Sequence, residues 1–423
     1  MSIIDYSLLA PLIRGLCVGV SQQPRVVISG SMSKKSSPQI LTVELGLAIK
    51  EDQLDEEEAA LILQEAYAAW EFEMAPSGVE AITKKSMVKK YPACIVILIN
   101  NDPGVVFWID RDLDTVRKRA KQEDISVLEE RIPRQDGPDA SGSSAQNRGE
   151  VVKKKIALVT GGAQGFGEEI VRGLVLSGAL VFIADLNLEG AEKLAAKINA
   201  AEKRTAALAV AVNVADEASV EEMFRYVVNM VGGLDLCISN AGVLKAASLL
   251  EQDLESFSLV TDVNYIGFFL ISKHASRLLR LQHRTAHHWK TDIIQINSKS
   301  GLEGSNKNGA YAGGKFGGLG LTESFALELV EYNIKVNAIC PGNFFDGPLW
   351  SDREKGLFVQ YLRAGKVPGA RTIEDVKVFY ESKVPMRRGC TGPDVMRAIY
   401  YIVEQEYETG QAVPVTGGQV MLH

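Results

Sequence analysis

Three residues have the types and spacing to move a proton at an alcohol. Tyr311 stands thirteen residues after Ser298 and four before Lys315, in "IIQINSKSGLEGSNKNGAYAGGK". On a helix the i, i+4 spacing sets the phenol and the ammonium on one face. An ordinary phenol titrates near 10, so a tyrosine alone is a poor base at neutral pH. A lysine charge beside it, joined by the positive ring of an oxidised nicotinamide, stabilises the phenolate and is expected to lower that value. The tyrosine then takes a proton from an alcohol as hydride leaves, or returns one to a carbonyl. Ser298 is placed to hydrogen-bond the same oxygen. Tyr-x-x-x-Lys occurs on many solvated helices, so the triad needs a cofactor site to be meaningful.

"KKIALVTGGAQGFGEEIVRGL" supplies one, with Gly161, Gly165 and Gly167 between a strand and a helix. Glycines let the backbone turn sharply and approach a pyrophosphate, and the helix N-terminus offers free N–H groups. Asp185 ends the next strand, eighteen residues after Gly167. A carboxylate there accepts from adenosine ribose hydroxyls and repels a 2′-phosphate, which favours NAD over NADP. Capping of the following helix is the competing role for Asp185. Asn213, after the third strand, suits the adenine amine or a plain turn equally. Asn240, Ala241 and Gly242 follow the fourth strand, where small residues border the ligand crevice of an open sheet.

The elements that must position these residues are legible around them. From residue 153 onward, continuously apolar strands ("IALVT", "ALVFIAD", "ALAVAVNV", "LDLCISNAG", "DIIQINS", "IKVNAIC", "QAVPVTGG") alternate with helical patterns, one of them from about Ala310 to Tyr332. Continuous apolarity means strands covered on both faces, and strict alternation means right-handed crossovers. The fold class predicted is α/β, a Rossmann-type doubly wound parallel sheet preceded by a small α+β module. Pro414 cannot donate to a ladder, so the last strand belongs at the sheet edge.

At 423 residues, 46% hydrophobic and 23% charged, the chain has the composition of a soluble protein of about two domains. The residues divide as 1–131, a small α+β module; 132–152, a flexible linker rich in Gly, Ser, Asp, Asn and Gln; and 153–423, the nucleotide-binding domain. In the first part, "DEEEAALILQEAYAAWEFEM" and "RDLDTVRKRAKQED" read as helices and "ACIVILINNDPGVVFWI" as two strands around a turn. No constellation there carries chemistry. A partner-binding module and a remnant of another enzyme both stand, although the absence of histidine argues against metal-dependent aldol or hydrolytic chemistry.

A formal net charge of −7 argues against a nucleic-acid partner. No uninterrupted apolar run spans a bilayer, so no membrane partner is expected. The acid in "MSIIDYSLLAPLIRGL" is unlike a secretory n-region. Five scattered cysteines fit a reducing, cytoplasmic location. The adjacent His287 and His288 in "HRTAHHWK" read as a wet, basic loop before the fifth strand, and no metal site is expected.

"TGGAQGFG", "NAG", Asn264 in "VTDVNYIGFF", Ser298, "YAGGK" and "CPG" at 340–342 together resemble the short-chain dehydrogenase/reductase family over about residues 153–423. The resemblance implies Tyr311 as acid/base, Lys315 as the residue holding the nicotinamide ribose, and Ser298 as the one orienting substrate. It implies that Asn264 fixes a helix kink and a proton-relaying water. It adds Phe166, Val214, Pro341, Gly342 and Tyr311 itself to the cofactor contacts, and it implies a homo-oligomer, dimer or tetramer. A narrower likeness, in "IIQINSKSG", "KFGGLGLT", "GNFFDGPLW", "KVPMRRGC" and "TGQAVPVTGGQVM", is to members acting on polyol phosphates. It implies NAD and a phosphorylated polyol, D-sorbitol 6-phosphate exchanged with D-fructose 6-phosphate.

Phosphate needs cations at the crevice mouth. Lys299 and Lys245 are the best placed, with Arg387, Arg388 and Lys307 as further options; each suits an exposed solubilising role equally well. Phe344, Phe345, Leu349 and Trp350 read as a segment closing over substrate or as an oligomer contact.

Overall fold

The computed structural model describes residues 8–21, 26–30, 40–44, 49–50, 53–73, 88–91, 94–99, 102–110, 112–122, 128–131, 148–354, 356–363, 365 and 367–421. The chain forms two compact units. The first comprises Met1–Asn147 with Phe224–Asp235 and Arg277–Trp289; the second comprises Arg148–Met223, Leu236–Ser276 and Lys290–His423. Most of the expected linker, 132–147, lies outside the described residues. Its last part differs from expectation: Arg148–Val152 is a 3-10 turn with Val152 buried, because an apolar side chain there reaches the second unit's core.

The second unit is a seven-stranded sheet, entirely parallel, in the order β11-β10-β9-β12-β13-β14-β15. The strands are β9 (Ile156–Thr160), β10 (Leu180–Asp185), β11 (Ala207–Ala211), β12 (Leu236–Ser239), β13 (Thr291–Ile296), β14 (Ile334–Pro341) and β15 (Ala412–Val415). Every residue of β9, β12, β13 and β14 is buried, as continuous apolar runs require when helices cover both faces. β15, with Pro414, is an edge strand as expected. The order reverses between β9 and β12, so the crevice at their carboxyl ends is the place for a ligand.

The helices of this unit that bear on the site are α4 (Gly165–Leu176), α7 (Leu254–Thr261), α8 (Gly267–His283), α9 (Gly309–Leu329) and α13 (Gly392–Glu404). Ile170, Val171 and Leu174 of α4 pack with Val395, Met396, Ile399 and Ile402 of α13 against the sheet. Each such side chain contributes roughly 1.5–3 kcal/mol by leaving water. Leu254–His283 is the one segment among the described residues apolar and long enough to cross a membrane by composition. Its Val260, Phe268, Ile271, Ala275 and Leu279 are buried, the pattern of a core-facing helix.

In the first unit a four-stranded sheet has the order β1-β7-β6-β2, from β1 (Val26–Gly30), β2 (Ile40–Glu44), β6 (Cys94–Ile99) and β7 (Asp102–Asp110). β6 and β7 are the expected antiparallel pair. Two expected helices form as α2 (Glu56–Glu73) and α3 (Leu113–Gln122). Asp55 accepts from the N–H groups of Glu57 and Glu58 and so caps α2. α1 (Leu9–Ser21) was not expected as a helix. Its apolar residues leave no polar stripe to betray a period, and Leu9, Leu12, Ile13 and Leu16 are all buried.

Segment 284–289 is a loop with His287 and His288 exposed, as expected, but Thr285 and Ala286 are buried in this unit. Arg284 pairs with Glu56 and Glu57, the Gln64 amide donates to the Arg284 carbonyl, and Ala286 is buried. His283 and His287 meet edge to face at 5.2 Å. Among the described residues no group of three or more His, Cys, Asp or Glu is placed to hold a metal.

Candidate active site

The glycine turn follows β9. Gly161 has φ +61° and Gly165 φ +60°, the left-handed region where a side chain is strained. A Cβ on Gly167 would stand 2.0 Å from the Gly161 carbonyl oxygen, so the helix can start this close to the strand only without one. The N-cap of α4, Gln164, has extended backbone and gives no side-chain cap. The N–H groups of the first turn therefore point outward unsatisfied by a capping side chain, and the space beside Gly165 is open. Such a cradle fits a dinucleotide pyrophosphate.

Asn240 braces this cradle from β12. Its amide donates to the carbonyls of Thr160 (2.9 Å) and Gly161 (3.1 Å). The buried Thr160 hydroxyl accepts from the N–H groups of Asn240 and Ala241. Sequence reading passed over Thr160; its one signal was a polar residue ending an apolar strand. Asp185 ends β10, its two carboxylate oxygens accepting from Ala163 N–H and Asn187 N–H, both at 2.9 Å. The helix after it is capped by Asn187 rather than by Asp185. Asn213 makes a turn, its side chain accepting from Ala215 N–H, with buried Val214 beside it. Phe166 stacks on Phe344 at 4.3 Å with the rings 13° from parallel. Pro341 and Gly342 close β14, and Gly342 N–H donates to Val415.

Ser298 follows β13 with extended backbone (φ −169°) and caps a short 3-10 turn, its Oγ accepting from Ser300 N–H at 3.1 Å. That bond leaves the hydroxyl proton free to be donated. Tyr311 and Lys315 lie in the first two turns of α9, as the i, i+4 spacing predicts, with the ammonium 5.6 Å from the phenol ring centre. Lys315 Nζ donates to the Ile296 carbonyl at 2.9 Å. Asn264 sits in a π-helical turn, Asp262–Ile266, between α7 and α8. Its Nδ2 donates to the carbonyls of Val243 (2.7 Å) and Val260 (2.8 Å). Its buried Oδ1 has no protein partner among the described residues. A Cβ on Gly242 would fall 2.8 Å from that oxygen and 3.8 Å from Lys315 Nζ, so the three groups converge.

The electrostatics correct one expectation. Among the protein's own groups the Tyr311 phenol is held above its ordinary value, not below it, because burial outweighs the Ser298 hydrogen bond that lowers it. Burial also brings Lys315 down to about 8. Burial thus disfavours the charged form of both groups. A stability consequence follows. The unfolded lysine keeps its proton to about 10.5 and the folded one to about 8, so between these values the unfolded chain binds more protons and stability rises with pH. Chemical unfolding of wild type and Lys315→Met should show the wild type gaining on the variant across that window and parallel with it below.

Of the candidate phosphate cations, Lys245 is exposed and Lys299 half-buried, and neither forms an ion pair among the described residues. Arg388 is committed to Asp394 (2.5 Å), which holds that carboxyl down to about 2, and Arg387 donates to the Ser382 carbonyl. Arg388 is thus poorly suited to phosphate. The aromatic segment after "CPG" has a small core of its own: Phe345 is buried against Phe358, Val367, Val376 and Val384, and Trp350 packs on it.

A glycine cradle at the switch point, with a serine, a tyrosine and a lysine converging beside it, defines a nucleotide-dependent oxidoreductase of the short-chain type. The chain belongs to the short-chain dehydrogenase family, whose profile it matches over residues 155–355. It is 36% identical to sorbitol-6-phosphate 2-dehydrogenase of Escherichia coli (strain K12) over 273 residues, covering 63% of this chain and 99% of that protein. Sorbitol dehydrogenase of Cereibacter sphaeroides is 30% identical over 269 residues, 63% of this chain and 98% of the relative. Among solved structures, sorbitol-6-phosphate 2-dehydrogenase SrlD from Erwinia amylovora superposes with a TM-score of 0.58 at 40% identity, covering 63% of this chain and all (100%) of that one.

A bound nicotinamide would accept the hydride from a carbinol carbon, or return it. This chain's residues do the rest. The residues that would hold such a group are Gly161, Gly165 and Gly167 at the phosphates, Asp185 near the adenosine ribose and Lys315 near the nicotinamide ribose. Ser298 would donate to a substrate oxygen lying beside it, and Tyr311 would exchange a proton with that oxygen.

Proposed function

We propose that the chain is an NAD-dependent dehydrogenase of a sugar-alcohol phosphate, oxidising D-sorbitol 6-phosphate to D-fructose 6-phosphate. The carbinol C–H leaves as hydride to NAD and the O–H proton passes to Tyr311, so the balance is polyol phosphate plus NAD to keto-sugar phosphate, NADH and a proton. The observation that carries this is the similarity to the Escherichia coli enzyme along nearly its whole length. NAD rather than NADP is favoured by Asp185, because a carboxylate at the end of β10 repels a ribose 2′-phosphate. Lys245 and Lys299 are the cations assigned to the substrate phosphate. The five buried cysteines, none of them in a disulfide, suit the cytoplasm, and a homo-oligomer, dimer or tetramer, is the assembly expected of the family.

A second reading, an unphosphorylated polyol as substrate, draws on the likeness to the Cereibacter enzyme. Growth of NADH absorbance separates the two. D-sorbitol 6-phosphate is expected to turn over with kcat/KM at least about 100-fold above D-sorbitol, since a charge-assisted phosphate contact is worth roughly 1.5–3 kcal/mol and two cations are available. NADP should be the poorer cofactor. Equal turnover of sorbitol would sink the phosphate assignment.

A further inference from the structure

The strand that delivers Ser298 ends in a polar side chain that the triad does not account for. Asn297 is 4% exposed, and its N–H donates to the Ile339 carbonyl at 2.7 Å, so its backbone belongs to the sheet. Its side chain is used at both ends. Oδ1 accepts from Ser298 N–H at 2.8 Å. Nδ2 donates to the Lys315 carbonyl at 2.9 Å and to Gln295 Oε1 at 2.7 Å. Lys315 is in turn tied by its ammonium to the carbonyl of Ile296. Consecutive strand residues thus hold Lys315 from both sides, Ile296 by the charge and Asn297 by the backbone.

The surroundings are shaped for this amide. A Cβ on Gly301 would stand 2.2 Å from Asn297 Oδ1, and one on Gly318 would stand 2.4 Å from Gln295 Nε2. A helical carbonyl has a second lone pair beyond its ladder bond, which Asn297 takes. An apolar residue at 297 would leave Ser298 N–H without its side-chain acceptor and Lys315 C=O without this donor, in a dry site where such losses are felt.

We infer that Asn297 is a positioning residue for proton transfer: it locks the strand end carrying Ser298 to the helix turn carrying Lys315, and thereby sets both against Tyr311. This rests on the dehydrogenase reading above. Ser298 and Lys315 come from different elements, and reacting groups displaced by about 1 Å lose on the order of 100-fold in rate. A purely structural amide would alter stability alone.

The test compares Asn297→Ala, Asn297→Asp, Gly301→Ala and the double variant Asn297→Ala/Gly301→Ala in the full-length chain. Turnover of D-sorbitol 6-phosphate, NADH affinity by fluorescence and thermal midpoint are measured together. Asn297→Ala and Asn297→Asp should each lower kcat by about 10- to 100-fold, with NADH affinity within about threefold of wild type. Asp keeps the acceptor for Ser298 N–H but loses the donor to Lys315, so it should not restore the rate. Gly301→Ala, which drives a methyl onto the amide, should lose rate in wild type and lose less in the Asn297→Ala background, where the 2.2 Å clash is relieved and only the 3.0 Å approach to the Lys315 carbonyl remains.

A second readout does not depend on turnover. The Tyr311 phenolate titration with NAD bound is taken at 295 nm as the difference from Tyr311→Phe. It should move upward in Asn297→Ala, which adds no charge, by roughly half a pH unit or more, because Ser298 and Lys315 are then no longer locked where they stabilise the phenolate. If wild type does not oxidise D-sorbitol 6-phosphate, the substrate reading fails while this titration still decides the role of Asn297. Rates within about twofold of wild type, or a titration that stays in place, would overturn the inference, as would kcat and NADH affinity falling in parallel with the thermal midpoint.

Discussion

Replacing Tyr311 by phenylalanine is expected to abolish turnover, by about 10²- to 10⁴-fold in kcat, while leaving NADH affinity within about twofold. The substitution removes one hydroxyl and keeps the ring, so the packing around Lys315, 5.6 Å away, is retained. What disappears is the group that exchanges a proton with the substrate oxygen. The hydroxyl also takes part in a hydrogen bond with Ser298, which loses its partner. The glycine turn of the cofactor cradle is held by other residues, Asn240 and Thr160. Stopped-flow hydride transfer and NADH fluorescence titration on one preparation check both halves. A variant that turns over at a tenth of the wild-type rate or better would show that another group moves the proton. Loss of NADH binding would show that Tyr311 serves the cofactor instead.

The geometry also says why the phenol needs company. Burial raises its pKa and brings that of Lys315 down to about 8, so neither charged form is comfortable alone. Each is stabilised by the other, and the charge on an oxidised nicotinamide acts in the same direction. The spacing in sequence correctly set the two side by side on α9. It carried no measure of burial, and burial decided the direction of the phenol's shift.

The same division between pattern and depth runs through the fold. The parallel sheet was legible because β9, β12, β13 and β14 are covered on both faces and so read as unbroken apolar runs. The glycine turn, Ser298, Tyr311 and Lys315 were legible because their chemistry demands residue types that few other sites need. Asn297 was not, since one polar residue at a strand end resembles any other until its partners on α9 are known. "HRTAHHWK" was legible only in part. Its composition says water, which holds for the exposed His287 and His288, whereas Thr285 and Ala286 are buried and Arg284 is held by Glu56, Glu57 and Gln64, more than 200 positions away.

Arg14→Ala should destabilise the first unit more than any surface change. Arg14 and Asp235 are 221 positions apart and both 0% exposed, with Nη2 2.7 Å from Oδ2. Arg14 also donates to the Leu234 carbonyl, and the Trp289 indole N–H donates to the other Asp235 oxygen. Gln282 clasps Leu234 from both sides, accepting from its N–H and donating to its carbonyl, and the Thr285 hydroxyl donates to the Leu12 carbonyl. Removing the guanidinium leaves a fully buried carboxylate without its ion-pair partner, so a loss of about 3–5 kcal/mol is expected. The exposed Lys193–Glu189 pair, one helical turn apart, supplies the contrast: Lys193→Ala should cost no more than about 0.5 kcal/mol. A joint replacement, Arg14→Met with Asp235→Leu, should recover most of the stability, because two apolar side chains of similar size carry no desolvation penalty. Denaturant unfolding followed by tryptophan fluorescence reads all three. Arg14→Ala within about 1 kcal/mol of wild type would mean that water reaches Asp235 and that the pair is not sealed. If the double replacement proved as damaging as the single one, packing rather than an orphaned charge would be the cause.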